Sequence, residues 1–219
     1  MGDVRPMKVV DRIREAIFAG DLAPNQRLIE ADLCAQLGAS RSHVRNALAD
    51  LVSEGLVERI PNRGARVRAI TLAEAIEFTE IRMVVEGLCA AKAAARVTDG
   101  QAAQLRSIGQ RMRQYEASGD LIEYSNCNKE LHAFIRTISG QSAAGDIIER
   151  IRGNLTRYQV RLALQSGRAA VSLPQHLEII EAICARDEGR AEKAMRAHLR
   201  SVIEALENTR PATSNGDPW

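Results

Sequence analysis

The chain has 219 residues, with 30 Lys and Arg against 28 Asp and Glu and a formal net charge of +2. Charged residues make up 26%, AVILMFWYC residues 45% and aromatic residues 3%, which suits one large or two small globular domains and excludes wholesale disorder. A net charge this small gives no whole-chain reason to expect a nucleic-acid partner.

The predicted elements are mostly helical. Val10, Ile13 and Ile17 set a helix over 7–19, and Gly20 stops it. LAPNQ (22–26) reads as a turn, and a short helix follows at about 30–37 with Leu33 and Leu37 inward and Gly38 as its stop. Ser40 is a good N-cap for a third helix, RSHVRNALADLVSE, which Gly55 ends. LVERI (56–60) and ARVRAI (65–70) read as two strands of a β-hairpin around the turn PNRG.

From Thr71 onward strand signals vanish. Helices are expected near 72–97, 100–117, 121–138, 143–166, 173–186 and 188–208. Capping boxes at Thr71-Leu72-Ala73-Glu74, Thr98-Asp99-Gly100-Gln101 and Ser172-Leu173-Pro174-Gln175 mark three of the starts. The fold expected is mainly α: an N-terminal winged helix-turn-helix with a small β-hairpin over 1–70, an antiparallel all-α bundle of about six helices over 71–208, and a flexible tail over 209–219.

Charge separates the two modules. Residues 1–70 carry 11 basic and 9 acidic side chains, whereas 71–219 carry 19 of each. The whole surplus sits in the first third, and an anionic partner for that module follows. A helix whose basic amino-terminal end fits the major groove reaches base edges there. Ser40, Arg41, Ser42, His43 and Arg45 occupy that end, and Arg63 with Gly64 forms the hairpin tip, placed to meet the backbone or minor groove. Two-fold operators need two-fold proteins, so a pseudo-palindromic double-stranded DNA site and a homodimer are expected.

The first twenty residues interrupt every apolar run with charge, and no stretch approaches the ~20 apolar residues of a membrane span. Cys34, Cys89, Cys127 and Cys184 form no C-x-x-C pair. A cytoplasmic chain with reduced thiols is expected.

The second module carries three of the four histidines. Asn128 and His132 are four apart on one predicted helix, His176 opens another and His198 lies in the last. Such a set can converge on one divalent transition metal, with zinc, nickel, iron or manganese all compatible with imidazole donors. Spacing alone does not show that the three helices meet, and hydrogen-bonded core histidines are the bland alternative. A metal-dependent hydrolase with an accessory DNA-binding module is another reading, weakened because no carboxylate is placed as a general base and no Ser-His-Asp or Cys-His signature occurs. An architectural DNA-binding protein with a structural metal is a third.

GASRSHVRNALADLVSEGLVERIPNRGARVRAI resembles the amino-terminal domain of the GntR superfamily of bacterial transcription regulators. His43 stands where that family commonly has Pro, and Asn46 where it commonly has Glu. The resemblance implies Arg41 and Arg45 as main DNA contacts, supported by Ser40, Ser42, Arg63 and Gly64. Residues 73–205 resemble the FCD effector domain of the FadR/VanR-like branch, through EIRMVVEGLCAAKAAARVT, NKELHAFI and QHLEIIEAICARDEGRAEKAMRAHL. This implies Asn128, His132, His176 and His198 as metal positions, with zinc foremost and Asn128 standing where Asp is usual. It further implies a small carboxylate effector, gripped by the metal and by arginines among Arg82, Arg150, Arg157 and Arg161, and a metabolite-responsive repressor rather than an enzyme.

Overall fold

The computed structural model describes residues 8–61 and 64–209, with the backbone alone at 152, 156, 157 and 160. Contacts divide the chain into two compact units: the described residues up to Thr71 together with Glu149–Arg157, and Leu72–Ile148 together with the residues from Tyr158 on. The expected tail lies outside the described residues from 210 onward.

The first unit runs α1 (Val9–Ala19), β1 (Arg27–Leu28), α2 (Glu30–Leu37), α3 (Arg41–Ser53), β2 (Val57–Ile60) and β3 (Gly64–Val67). The apolar stripe of α3, Val44, Ala47, Leu48 and Leu51, is buried with Ile13 and Ile17 of α1, Leu33 of α2, and Leu28, Val57, Ala65 and Val67 of the sheet. Arg14 of α1 forms a two-pronged bond to Glu54 at the end of α3 (2.9 and 2.6 Å), which fixes one helix against the other.

The hairpin expectation needs one correction: the sheet has three strands, in the order β1-β3-β2, all antiparallel. Arg27 pairs with Arg66 and Leu28 with Ala65. A two-residue strand has no alternation to read, so only its partner reveals it. Gly64 enters β3 at φ +89°, a left-handed conformation that favours glycine.

The second unit holds α4 (Leu72–Arg96), α5 (Asp99–Ser118), α6 (Leu121–Ser139), α8 (Arg168–Cys184), α9 (Glu188–Glu207) and most of α7 (Ser142–Ala163). Its core is Leu105, Ile108 and Met112 of α5, Leu131 and Ile135 of α6, Ile179 and Ile183 of α8, and Met195 and Leu199 of α9. Ala90, Ala93 and Ala94 complete it on α4, small side chains that let neighbouring helices come close. The Thr98 capping box is present, with the Thr98 and Gln101 side chains each accepting the other's backbone N–H.

The Ser172 cap is contradicted. Helix α8 starts five residues before the expected 173, at Arg168, after Gly167 in a left-handed turn, and contains Pro174. The proline forfeits the bond to the Ala170 carbonyl. Ala169 and Ser172 are nonetheless buried in the first turns, and Arg168 bonds to Ser201 of α9. Ser172 is not a cap; its hydroxyl donates back to the Arg168 carbonyl (2.9 Å).

Candidate nucleic-acid face and histidine centre

Helix α3 presents its basic end to solvent. Ser40 caps it, accepting the His43 N–H (3.3 Å), and its hydroxyl lies 3.0 Å from that of Ser42. Arg41, Ser42, His43, Arg45 and Asn46 are exposed while Val44 between them is buried. Arg45 is not idle: its Nη2 and Nε face Glu30 of α2 at 3.1 and 3.4 Å. Both groups are exposed, so the pair is worth little and yields readily to a stronger acceptor. Gly64 is exposed at the start of β3, and Arg63 lies outside the described residues. On the same sheet Arg66 pairs across the strands with Glu58 (2.6 Å).

In the helical unit three helices do meet. His132 of α6, His176 of α8 and His198 of α9 are all buried, and one ring nitrogen from each lies within 4.8 Å of the others. The ring centroids are 4.3 to 5.8 Å apart.

Each Nδ1 is engaged. That of His132 donates to Glu86 Oε2 (2.6 Å), and that of His198 to Gln175 Oε1 (3.0 Å). His176 Nδ1 lies 3.1 Å from the Tyr124 hydroxyl, which is 3.0 Å from Ser172 Oγ. With a proton on Nδ1 alone, each ring would offer its Nε2 lone pair to a metal.

Burial lowers the proton affinity of His176 and His198, and the neighbouring imidazoles and Arg168 lower it further. Burial also pushes the Tyr124 hydroxyl up to about 12. Burial alone would raise Glu86, but the Arg82 guanidinium and His132 outweigh it and hold the carboxyl well below its usual range.

Two buried atoms of this region lack any hydrogen-bond partner among the described residues, Asn128 Oδ1 and His176 Nε2. Buried polar atoms rarely stay unpaired without a reason. Asn128 lies four residues before His132 on α6, and Tyr124 four before Asn128, so the three share a face. Three imidazole nitrogens and an amide oxygen are donors that a divalent transition metal accepts.

The expected arginines separate. Arg82 is buried, with its Nε on Glu86 Oε1 (2.8 Å), so it neutralises the carboxylate that holds His132. Arg150 and Arg161 are exposed on α7, and the Arg157 side chain is not described. The supporting residues Tyr124, Glu86 and Gln175 were not foreseen as such. The i, i+4 spacing of Tyr124 to Asn128 and of Arg82 to Glu86 was the available signal. Arg168 was missed too; its Nη2 is buried and also unpartnered. Among the described residues no helix is long and apolar enough to cross a membrane.

Comparison with known proteins agrees with both halves. Residues 7–67 match the gntR family of bacterial regulatory proteins, and residues 77–201 match the FCD domain. The chain is 27% identical over 194 residues to the HTH-type transcriptional repressor RspR of Escherichia coli, covering 89% of this chain and 85% of that protein. It is 30% identical over 200 residues to an HTH-type transcriptional regulator in an unstable DNA locus of Streptomyces ambofaciens, covering 91% and 84%. The E. coli McbR/YncC structure superposes with a TM-score of 0.76 at 23% identity, over 91% of this chain and 95% of that one. These relatives are regulators, which removes the hydrolase reading. The chain belongs to the GntR family of bacterial regulatory proteins and carries an FCD domain: it is a DNA-binding transcription regulator, not an enzyme.

Proposed function

We propose that this regulator is a cytoplasmic homodimeric repressor that leaves a pseudo-palindromic operator when a small organic acid binds at a metal in its helical unit. The observation that supports the metal half is the convergence of three buried histidines from α6, α8 and α9, with one ring nitrogen of each within 4.8 Å of the others. Buried polar atoms left without a partner, as His176 Nε2 and Asn128 Oδ1 are, are costly unless a cation takes them. His132, His176, His198 and Asn128 would hold the ion, which offers a Lewis-acid position for a carboxylate oxygen. Zinc is the first choice, with nickel, iron or manganese also compatible. The repressor direction rests on the printed role of RspR.

On the DNA side, Arg41 and Arg45 enter the major groove, with Ser40, Ser42 and His43 beside them, and Arg63 and Gly64 at the wing. Arg45→Ala is expected to weaken binding to a fragment selected from genomic DNA by ~1–3 kcal/mol and to relax its sequence preference, read by fluorescence anisotropy at fixed salt. Unchanged affinity would remove Arg45 from the contact set.

Dimerisation is assigned to α4. Ile81, Val84 and Leu88 are 47%, 51% and 44% exposed and recur at helical spacing on one side. Val84→Asp places a charge in the middle of that stripe. A monomer is expected by light scattering, with operator affinity reduced. A variant that stays dimeric would move the interface elsewhere.

A further inference from the structure

Glu30 is the first residue of α2, and its carboxylate lies against Arg45 on the exposed side of α3. It takes the side-on edge of the guanidinium: Oε1 accepts from Nε at 3.4 Å and Oε2 from Nη2 at 3.1 Å. A guanidinium carries five N–H donors in a planar fork, and this contact uses two of them. Both hydrogens of Nη1 and the second hydrogen of Nη2 stay free, so the end-on edge is open. That edge presents two parallel N–H groups, the arrangement that meets guanine O6 and N7 together. Arg45 is 65% and Glu30 38% exposed, so the pair contributes little to stability and the fold does not require it.

Glu30 is also an acid among bases. The Arg45 bond first, and then the charges of Arg45, Arg41 and Arg59, hold its carboxyl below its usual range. Those three arginines are exposed. A surface built only to grip the DNA backbone gains from each positive charge and loses by an embedded carboxylate. A phosphate brought to Arg45 comes up beside the like charge of Glu30 and is repelled, whereas the guanine edge offers neutral acceptors. The carboxylate therefore penalises the backbone as a partner for Arg45 and spares the base.

We infer that Glu30 is a specificity-determining residue, which positions the Arg45 fork end-on for a guanine and turns it away from phosphate. It acts through Arg45 and need not touch DNA itself. This rests on the reading of Arg45 as a base contact and adds the residue that makes that contact selective.

The test uses the full chain, native and with Glu30→Gln, Arg45→Ala or both. Affinities are read by fluorescence anisotropy across a salt series for a fragment selected from genomic DNA by the native chain, for its single-base-pair variants and for an unrelated duplex. Arg45→Ala is expected to erase the preference for one G·C pair. Glu30→Gln keeps the shape but offers one acceptor in place of two, and no charge. It is expected to cut the preference at that same pair by about fivefold or more, the low end of what one bidentate contact discriminates. Binding to the unrelated duplex should tighten, with a salt slope steeper by ~0.9, the signature of one added phosphate contact. In the double variant Glu30→Gln should have no further effect on base preference. The melting temperature should change by no more than ~2 °C, because the pair is exposed. If Arg45→Ala erases a G·C preference and Glu30→Gln leaves it intact, the inference is overturned and the Arg45 reading stands. If Arg45→Ala erases no base preference, both fall. A Glu30→Gln chain that melts several degrees lower and loses affinity evenly at every position makes Glu30 a brace between α2 and α3, which also overturns the inference.

Discussion

Replacing His176 with alanine is expected to leave the helical unit unable to retain metal through gel filtration, and to abolish the thermal stabilisation that added zinc gives the native chain. The His176 ring packs with the other two, its centroid 4.3 Å from that of His198 and 5.8 Å from that of His132. Its Nε2 is one of the buried atoms with no partner among the described residues. Removing it takes one of three imidazole donors and leaves two that cannot close a tetrahedral set. A metal present at 100 to 1,000 times its dissociation constant stabilises the folded state by about 2.7–4.1 kcal/mol. For a chain of this size that is roughly 5–15 °C in melting temperature. Elemental analysis and paired melts with and without zinc decide it. Full metal content in the alanine variant would show that the histidines are core residues only.

The convergence behind that result was partly legible in the sequence. Asn128 and His132 could be placed on one face because helical spacing allows nothing else, and the α3 basic end was readable for the same reason. That α6, α8 and α9 bring their histidines within 4.8 Å was not readable from spacing, because packing between helices far apart in sequence leaves no local trace. Resemblance to a family supplied it. The roles of the arginines were harder still. Arg82 and Glu86 are i, i+4, which is equally the spacing of an ordinary surface pair, and only burial makes them the support of His132. A proline at 174 reads as a first-turn residue, which sets the expected helix start at 173 and leaves Arg168 in a loop. With the helix begun at 168, Arg168, Ser172 and His176 align on one face. The short β1 was invisible for a different reason, since two residues carry no period.

Glu86→Ala is expected to be the most damaging single change in the helical unit. The Glu86 carboxylate, 1% exposed, serves two partners, Arg82 Nε at 2.8 Å and His132 Nδ1 at 2.6 Å. Deleting it leaves the buried Arg82 cation unpaired and His132 without the acceptor that fixes its tautomer. Breaking a buried pair from one side typically costs about 3–5 kcal/mol, because the surviving charge is stranded away from water. The same reasoning predicts what the double variant Glu86→Leu/Arg82→Leu does. With both charges gone and the volume refilled, most of the stability should return, since a buried ion pair is often no better than packed apolar side chains. Metal affinity should not return with it. His132 would still lack its acceptor, and loss of such an outer partner costs about 10–100-fold in metal binding. Denaturant unfolding of metal-free protein measures the first effect and zinc competition with a chromophoric chelator the second. The two readouts must part company in the double variant. If zinc affinity recovers together with stability, Glu86 acts only as the counter-ion of Arg82, and the orientation of His132 comes from the packing of α6 rather than from the carboxylate.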